Sequence, residues 1–331
     1  MDRSFAQYFD LVMASAKAAW QRMVRMLFKP FDIEKWFILG FVAWLATLGE
    51  QGGGGGGGRI FNAIPDHNKG GAGSQQIQHV LAAVFNWCRE HLLLICVLAL
   101  VILTILLAVW LVTLWLSSRA KFMFIHDVIR NQALLAEPWR EYRAEGHSLF
   151  RWRVGFALAV FFLVLFLVVL FLGIIFGLKS SLAAQIILGI IVGLAFLALV
   201  LAATLIVQFL EDFVVLIMYR YRLATNAAWA YFANLARCHW KGFVAYLLAL
   251  IVLSVIAGMA VLAAFAATCC VACCVAMLPY LGTVLMLPVL VFFRLFSLYF
   301  FQGLHPEFVM LADEGVPPVV PAPEPTVQSG A

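Results

Sequence analysis

Charge is what this chain has least of. Asp, Glu, Lys and Arg make up 12% of its 331 residues, against about 25% in an ordinary soluble domain. Apolar residues make up 65%, and mean hydropathy is +1.00. One soluble core could not hide that much apolar surface, because surface-to-volume scaling leaves too much of it wet. Lipid is therefore the expected solvent. Several motifs are missing as well. The glycine run Gly52–Gly58 lacks the Gly-Lys-Ser/Thr ending that lets a P-loop hold phosphate, which excludes that mode of nucleotide binding. The seven histidines (His67, His79, His91, His126, His147, His239 and His305) never show the His-x-x-x-His spacing of a helical metal site. The first thirty residues contain no uninterrupted apolar stretch of the kind a secretory signal needs, so the first span is expected to act as the insertion signal and remain.

What is present is a series of long apolar runs. Leu92–Leu116, Val154–Gly177, Ala184–Leu210, Phe243–Thr268 and Leu281–Phe301 each have enough residues to cross a bilayer. An earlier run, Trp36–Leu48, has only 13 residues. At about 1.5 Å per residue it covers roughly 20 Å of a hydrocarbon core about 30 Å thick. It either crosses by thinning the bilayer or re-enters, and a short crossing is expected. Before it, residues 4–28 place Phe5, Phe9, Val12, Ala16, Trp20, Met23, Val24 and Leu27 at helical spacing, with Lys17, Arg22, Arg25 and Lys29 among them. That pattern predicts an amphipathic helix in the headgroup region, stopped by Pro30.

The net charge of +5 would suggest nucleic acid on a soluble protein. Here it reads as topology, and no nucleic-acid partner is expected. Residues 1–35, 117–153 and 211–242 carry 17 Lys and Arg; the alternating loops carry four (Arg59, Lys69, Arg89 and Lys179), and Arg294 is left inside a span. The positive-inside bias then predicts six crossings of the cell membrane with both termini cytoplasmic. The expected organisation is an interfacial segment 1–35, a six-span domain 36–303 with a Gly-rich outer loop 49–78, and a Pro-rich tail 304–331 too poor in bulky apolar residues to fold.

Each basic segment repeats a plan: a Trp (Trp20, Trp139, Trp229), scattered Arg or Lys, a second Trp (Trp36, Trp152, Trp240), then Gly-Phe. Trp sits at headgroup level, and Arg meets anionic phosphates. With Arg140, Arg143 and Arg237, these residues predict a cytoplasmic collar contacting anionic membrane lipid and a membrane protein partner. The stretch EDFVVLIMYRYRLATNAAWAYFANLARCHWKGFVAYLL, from Glu211 to Leu248, resembles the membrane domain attached to some glycerophosphodiester phosphodiesterases and its stand-alone relatives. The ending LPYLGTVLMLPVLVFFRLFSLYFFQGLHPEF and the glycine run are similar to uncharacterised prokaryotic multi-span proteins related to that group. The resemblance implies an architecture only. The phosphodiesterase chemistry of the joined proteins resides in a separate soluble barrel, and no segment here supplies one.

Few residues could carry chemistry. Cys269, Cys270, Cys273 and Cys274 form CCVACC. They are candidate ligands for a soft metal, but structural zinc sites draw ligand pairs from separate loops. Small apolar packing residues are the expected role. Arg294 lies deep in the last span, where a charge faces a partner or water; the nearest counter-charges in prospect are Asp212 and Glu211, as an ion pair or a shared polar pocket. Snorkelling to the interface is the alternative. Gly173/Gly177 and Gly189/Gly193 have the G-x-x-x-G spacing of close helix packing, natural for an antiparallel hairpin. Other intramembrane polar residues (Thr104, Thr113, Gln185, Thr204, Gln208, Ser254, Thr283 and Ser297) are too few for an ion relay. The expectation is an all-α polytopic bundle with no cofactor and no enzymatic activity, acting as a scaffold or accessory subunit. A small-solute or lipid transporter with its pathway near Arg294 is the rival.

Overall fold

The structure is a computed structural model. It describes residues 5–29, 31–51, 89–132, 136–177, 182–268, 278–305, 308, 310 and 311. The Cys269–Cys274 cluster, the glycine run and nearly all of the tail lie outside the described residues. Among the described residues the regular structure is helical, without a strand. The helices are α1 (Phe5–Phe28), α2 (Ile33–Gln51), α3 (Leu92–Arg130), α4 (Ala136–Glu141), α5 (Arg143–Gly177), α6 (Leu182–Phe209), α7 (Val215–Tyr221), α8 (Thr225–Cys238), α9 (Trp240–Ala267) and α10 (Pro279–Leu304). A single π-turn, Leu210–Val214, joins α6 to α7.

Five segments are long and apolar enough to cross a membrane: α3, α5, the continuous α6–π-turn–α7 rod, α9 and α10. The protein is thus a multi-pass, all-α membrane bundle. The first expected crossing is α2, a helix of 19 residues that carries Glu34, Lys35 and Glu50 in its end turns; it is not among the five. Asp32 starts it, its side-chain oxygen accepting from the backbone N–H groups of Glu34 (3.0 Å) and Lys35 (3.4 Å), as an N-cap does.

Contacts divide the chain into two units, Thr47–Ser117 and the remainder. In the smaller unit, α3 exposes large apolar side chains from Leu92 to Val112. Thr104 and Thr113 return their hydroxyls to the Leu100 and Trp110 carbonyls (2.8 and 2.9 Å), which satisfies them without water.

In the larger unit, three helices change character along their length. α5 is buried at Leu149 and Arg153 but exposes Leu158 to Leu172; α9 is buried from Gly242 to Tyr246 except at Val244, and exposed beyond Leu248. The α6 rod exposes Ile186 to Leu205, then buries Leu210 and Phe213 to Met218. The exposed halves offer lipid an almost continuous apolar surface, as spans must. The buried halves meet around Phe213, whose ring lies 4.9–6.1 Å from those of Tyr246, Phe243, Phe301, Phe232 and Phe300. Edge-to-face and offset contacts of this kind add to what burial alone contributes.

α1 runs antiparallel to α10, with Leu11 against Gly303 and Trp20 against Phe292. A Cβ on Gly303 would collide with Leu11, and one on Gly242 would meet the Tyr8 ring at 2.9 Å. Val12, Met23 and Leu27 turn into this packed face, whereas Phe5, Phe9 and Trp20 stay exposed. The single apolar stripe read from the sequence is thus divided between protein and surroundings. A helix end needs its donors satisfied, and α8 meets this need from another helix: Ser148 of α5 accepts from the Thr225 N–H (3.0 Å).

Candidate functional site

The α6 rod is irregular at one place. Val215 N–H, which in a regular α-helix would bond to the Glu211 carbonyl, reaches back five residues to Leu210. π-turns of this kind recur at functional sites. Here the consequence is direct: the Glu211 carbonyl accepts instead from Arg294 Nη1 of α10, at 2.6 Å.

The carboxylate of Glu211 is held from two other helices. Lys121 of α3 donates to Oε1, and Arg153 of α5 donates to the same oxygen at 2.6 Å. Lys121 and Arg153 are buried. Next to them, Asp212 Oδ2 accepts from Gln208 Nε2 (2.6 Å) and from the hydroxyl of Tyr246 on α9 (3.0 Å). One turn of the α6 rod is thus tied to α3, α5, α9 and α10. Three cations, Lys121, Arg153 and Arg294, meet the two carboxylates at this turn. In a low-dielectric interior such a network is strong when complete and costly when broken.

A second polar group lies at the end of the same rod. Arg222, in the left-handed conformation (φ 54°) that ends α7, sits 3.9 Å over the Tyr142 ring and pairs with Glu141 and, at 3.4 Å, with Glu145. Tyr142 stacks on Tyr219 at 4.9 Å, and Tyr219 shares a hydrogen bond with His126 Nδ1 at 3.2 Å. Burial, then the Tyr219 hydrogen bond, push the Tyr142 phenol well above its usual range; it stays neutral at physiological pH.

The structure brings Arg294, Glu211 and Asp212 into one polar site, though Arg294 bonds to the Glu211 backbone and not to the Asp212 carboxylate. The four predicted packing glycines fare differently. A Cβ on Gly173 or Gly193 would meet nothing within 4 Å, one on Gly189 only Phe171 at 3.8 Å, and the surroundings of Gly177 lie outside the described residues. The tight approaches are at Gly40, Gly146, Gly242 and Gly303. Of the expected collar, Trp20, Arg140, Arg143, Arg237 and Trp240 are exposed. Trp36 donates its indole N–H to the Leu27 carbonyl (2.8 Å), Trp139 lies 4.0 Å from the Arg119 guanidinium, and Trp152 stacks on Trp229 at 5.6 Å. Those four are partly turned inward.

Lys121, Arg153, Gln208 and Tyr246 were not singled out by the sequence as members of a site. Lys121 and Arg153 look like ordinary flanking charges of a span. The available signal was the adjacent pair Glu211–Asp212 at a span end, since acidic groups there need cations from neighbouring helices.

Among the described residues, no group of three or more His, Cys, Asp and Glu side chains could hold a metal ion. Residues 12–282 match a family described as Family of unknown function (DUF7544). The match covers Lys121, Arg153, Glu211, Asp212 and Tyr246 and ends before Arg294. No curated protein and no solved structure matches the chain.

Proposed function

The chain belongs to the family of unknown function DUF7544, and from that premise we propose that it is a non-enzymatic membrane scaffold or accessory subunit. It engages anionic lipid, and through it or beside it a membrane protein partner, by means of its basic and aromatic collar. One observation carries this reading. The carboxylates of Glu211 and Asp212 on the α6 rod are bonded to side chains of neighbouring helices, whereas Arg140, Arg143 and Arg237 stand exposed with Trp20 and Trp240. Charges that tie helices together contribute architecture, and charges that face outward recruit. Exposed Arg and Trp at the end of a span suit an anionic leaflet.

The same reading assigns the protein to the cell membrane with α2 as a short first crossing and both termini in the cytoplasm, on the strength of 17 Lys and Arg against four. An epitope inserted between Gly55 and Gly56 should then be reached by antibody from outside intact cells, and a C-terminal epitope only after permeabilisation. The resemblance of Glu211–Leu248 to phosphodiesterase membrane domains implies an architecture and no chemistry.

The functional test is purification from native membranes in a gentle detergent, followed by mass spectrometry. A stoichiometric protein partner that the triple variant Arg140→Gln, Arg143→Gln, Arg237→Gln loses would support the scaffold. A second reading, a solute or lipid transporter, has one observation in its favour: Arg294 is charged, only partly buried, and bonded to a backbone carbonyl alone. Solute flux in vesicles holding the bare protein, abolished by Arg294→Gln and untouched by the collar substitutions, would favour transport.

A further inference from the structure

We propose that Arg294 binds the phosphate of one specific anionic lipid, a monoanionic phosphodiester headgroup seated at the π-turn. The inference rests on the lipid-engaging reading above and adds to it a defined site. A guanidinium has five N–H donors in a planar fork suited to phosphate. Arg294 uses one of them, on the Glu211 carbonyl. The two carboxylates beside it are already engaged, Glu211 by Lys121 and Arg153, and Asp212 by Gln208 and Tyr246. Each carboxylate carries both of its partners on one oxygen, and no donor of Arg294 bonds to either carboxylate. Arg294 brings a positive charge of its own to this turn, and a phosphodiester carries one negative charge.

The level is right for a headgroup. Arg153, Glu211 and Tyr246 lie where α5, the α6 rod and α9 change from protein-buried to exposed apolar surface. We take that boundary as the passage from acyl chains to phosphates, with lipid covering the exposed apolar halves. A helical side chain leans toward its own N-terminus, so Arg294 leans toward Leu290 and Met286, which are half-buried along with Phe293. These offer an acyl chain a partly open apolar path leading from the guanidinium. Zwitterionic phosphatidylcholine fits less well, because its ammonium would be brought to a cationic site.

The test is native mass spectrometry of delipidated full-length protein, titrated in mixed micelles with phosphatidylglycerol, phosphatidylcholine or inorganic phosphate. The wild type should retain one phosphatidylglycerol per chain at least about tenfold more tightly than Arg294→Gln, the scale expected for losing charge-assisted hydrogen bonds. Arg294→Lys, which keeps the charge without the fork, should fall between them. It also serves if Arg294→Gln fails to fold, as judged by its unfolding midpoint without lipid. Equal phosphatidylglycerol retention by a folded Arg294→Gln would overturn the site, as would equal retention of phosphatidylcholine by the wild type. Inorganic phosphate bound as tightly as the lipid, and dependent on Arg294, would make the ligand a soluble anion and overturn the lipid assignment. The triple collar variant separates the two proposals: it should keep this one tight lipid even if the collar itself proves to recruit nothing.

Discussion

Two arginine–glutamate sites on the same rod show how much surroundings decide. At the π-turn, the side chains of Lys121, Arg153 and Glu211 are 3%, 9% and 19% exposed. At the end of α7, those of Arg222 and Glu141 are 40% and 38% exposed. The chemistry is the same, a carboxylate accepting from a guanidinium. The first site joins α3, α5 and α10 to one turn of a transmembrane rod. The second holds α4 against the end of that rod where water can replace either partner. The buried site should therefore control whether the bundle assembles, and the exposed one only how firmly one corner is held.

Glu211→Ala offers the widest separation. It would leave Lys121 and Arg153 buried without their carboxylate, a loss of about 3–5 kcal/mol, read as a lower unfolding midpoint in detergent. Combining it with Lys121→Met should recover part of that loss, because a buried charge that has lost Glu211 is removed. Phe213→Ala, at the centre of the ring cluster beside the site, should cost about 3 kcal/mol or more in the same assay. Tyr246→Phe sharpens the comparison within the buried site: it removes one hydrogen bond from Asp212 and keeps the ring, for a loss of about 1 kcal/mol. Arg222→Ala should be the mildest, roughly 0.2–1 kcal/mol as for exposed pairs, and shrinking further in high salt. An Arg222 effect equal to that of Glu211 would erase the distinction.

Much of the fold was legible because lipid imposes one strong rule: long apolar runs must become helices. Five runs gave five helices of spanning length, and α1 ends at Phe28, just short of Pro30, as expected. The candidate site was half legible. Arg294, Glu211 and Asp212 were recognisable because each is a charge where charge is costly. Lys121 and Arg153 were not, since a basic residue at a span end is the commonest topology signal, and only tertiary packing turns it inward. Gly173, Gly189 and Gly193 show no tight approach, for a related reason. G-x-x-x-G spacing reports that a close approach is allowed, but the approaches occurred at Gly40, Gly242 and Gly303, where bulky neighbours in α10, α1 and α1 press against the backbone. Tyr246 carries no sequence signal at all, as nothing marks one tyrosine in an apolar run as an acid's partner.

In the proposed account the inward charges build the bundle, with Arg294 also holding one lipid, and the outward collar engages the membrane around it. The most direct measurement of that division is the lipid composition of polymer-extracted native nanodiscs holding the wild type, the triple collar variant, and Tyr246→Phe as a folded control in the inner site. Anionic lipid should be enriched around the wild type and Tyr246→Phe, and reduced toward the bulk membrane ratio around the collar variant. Equal enrichment around all three proteins would contradict it.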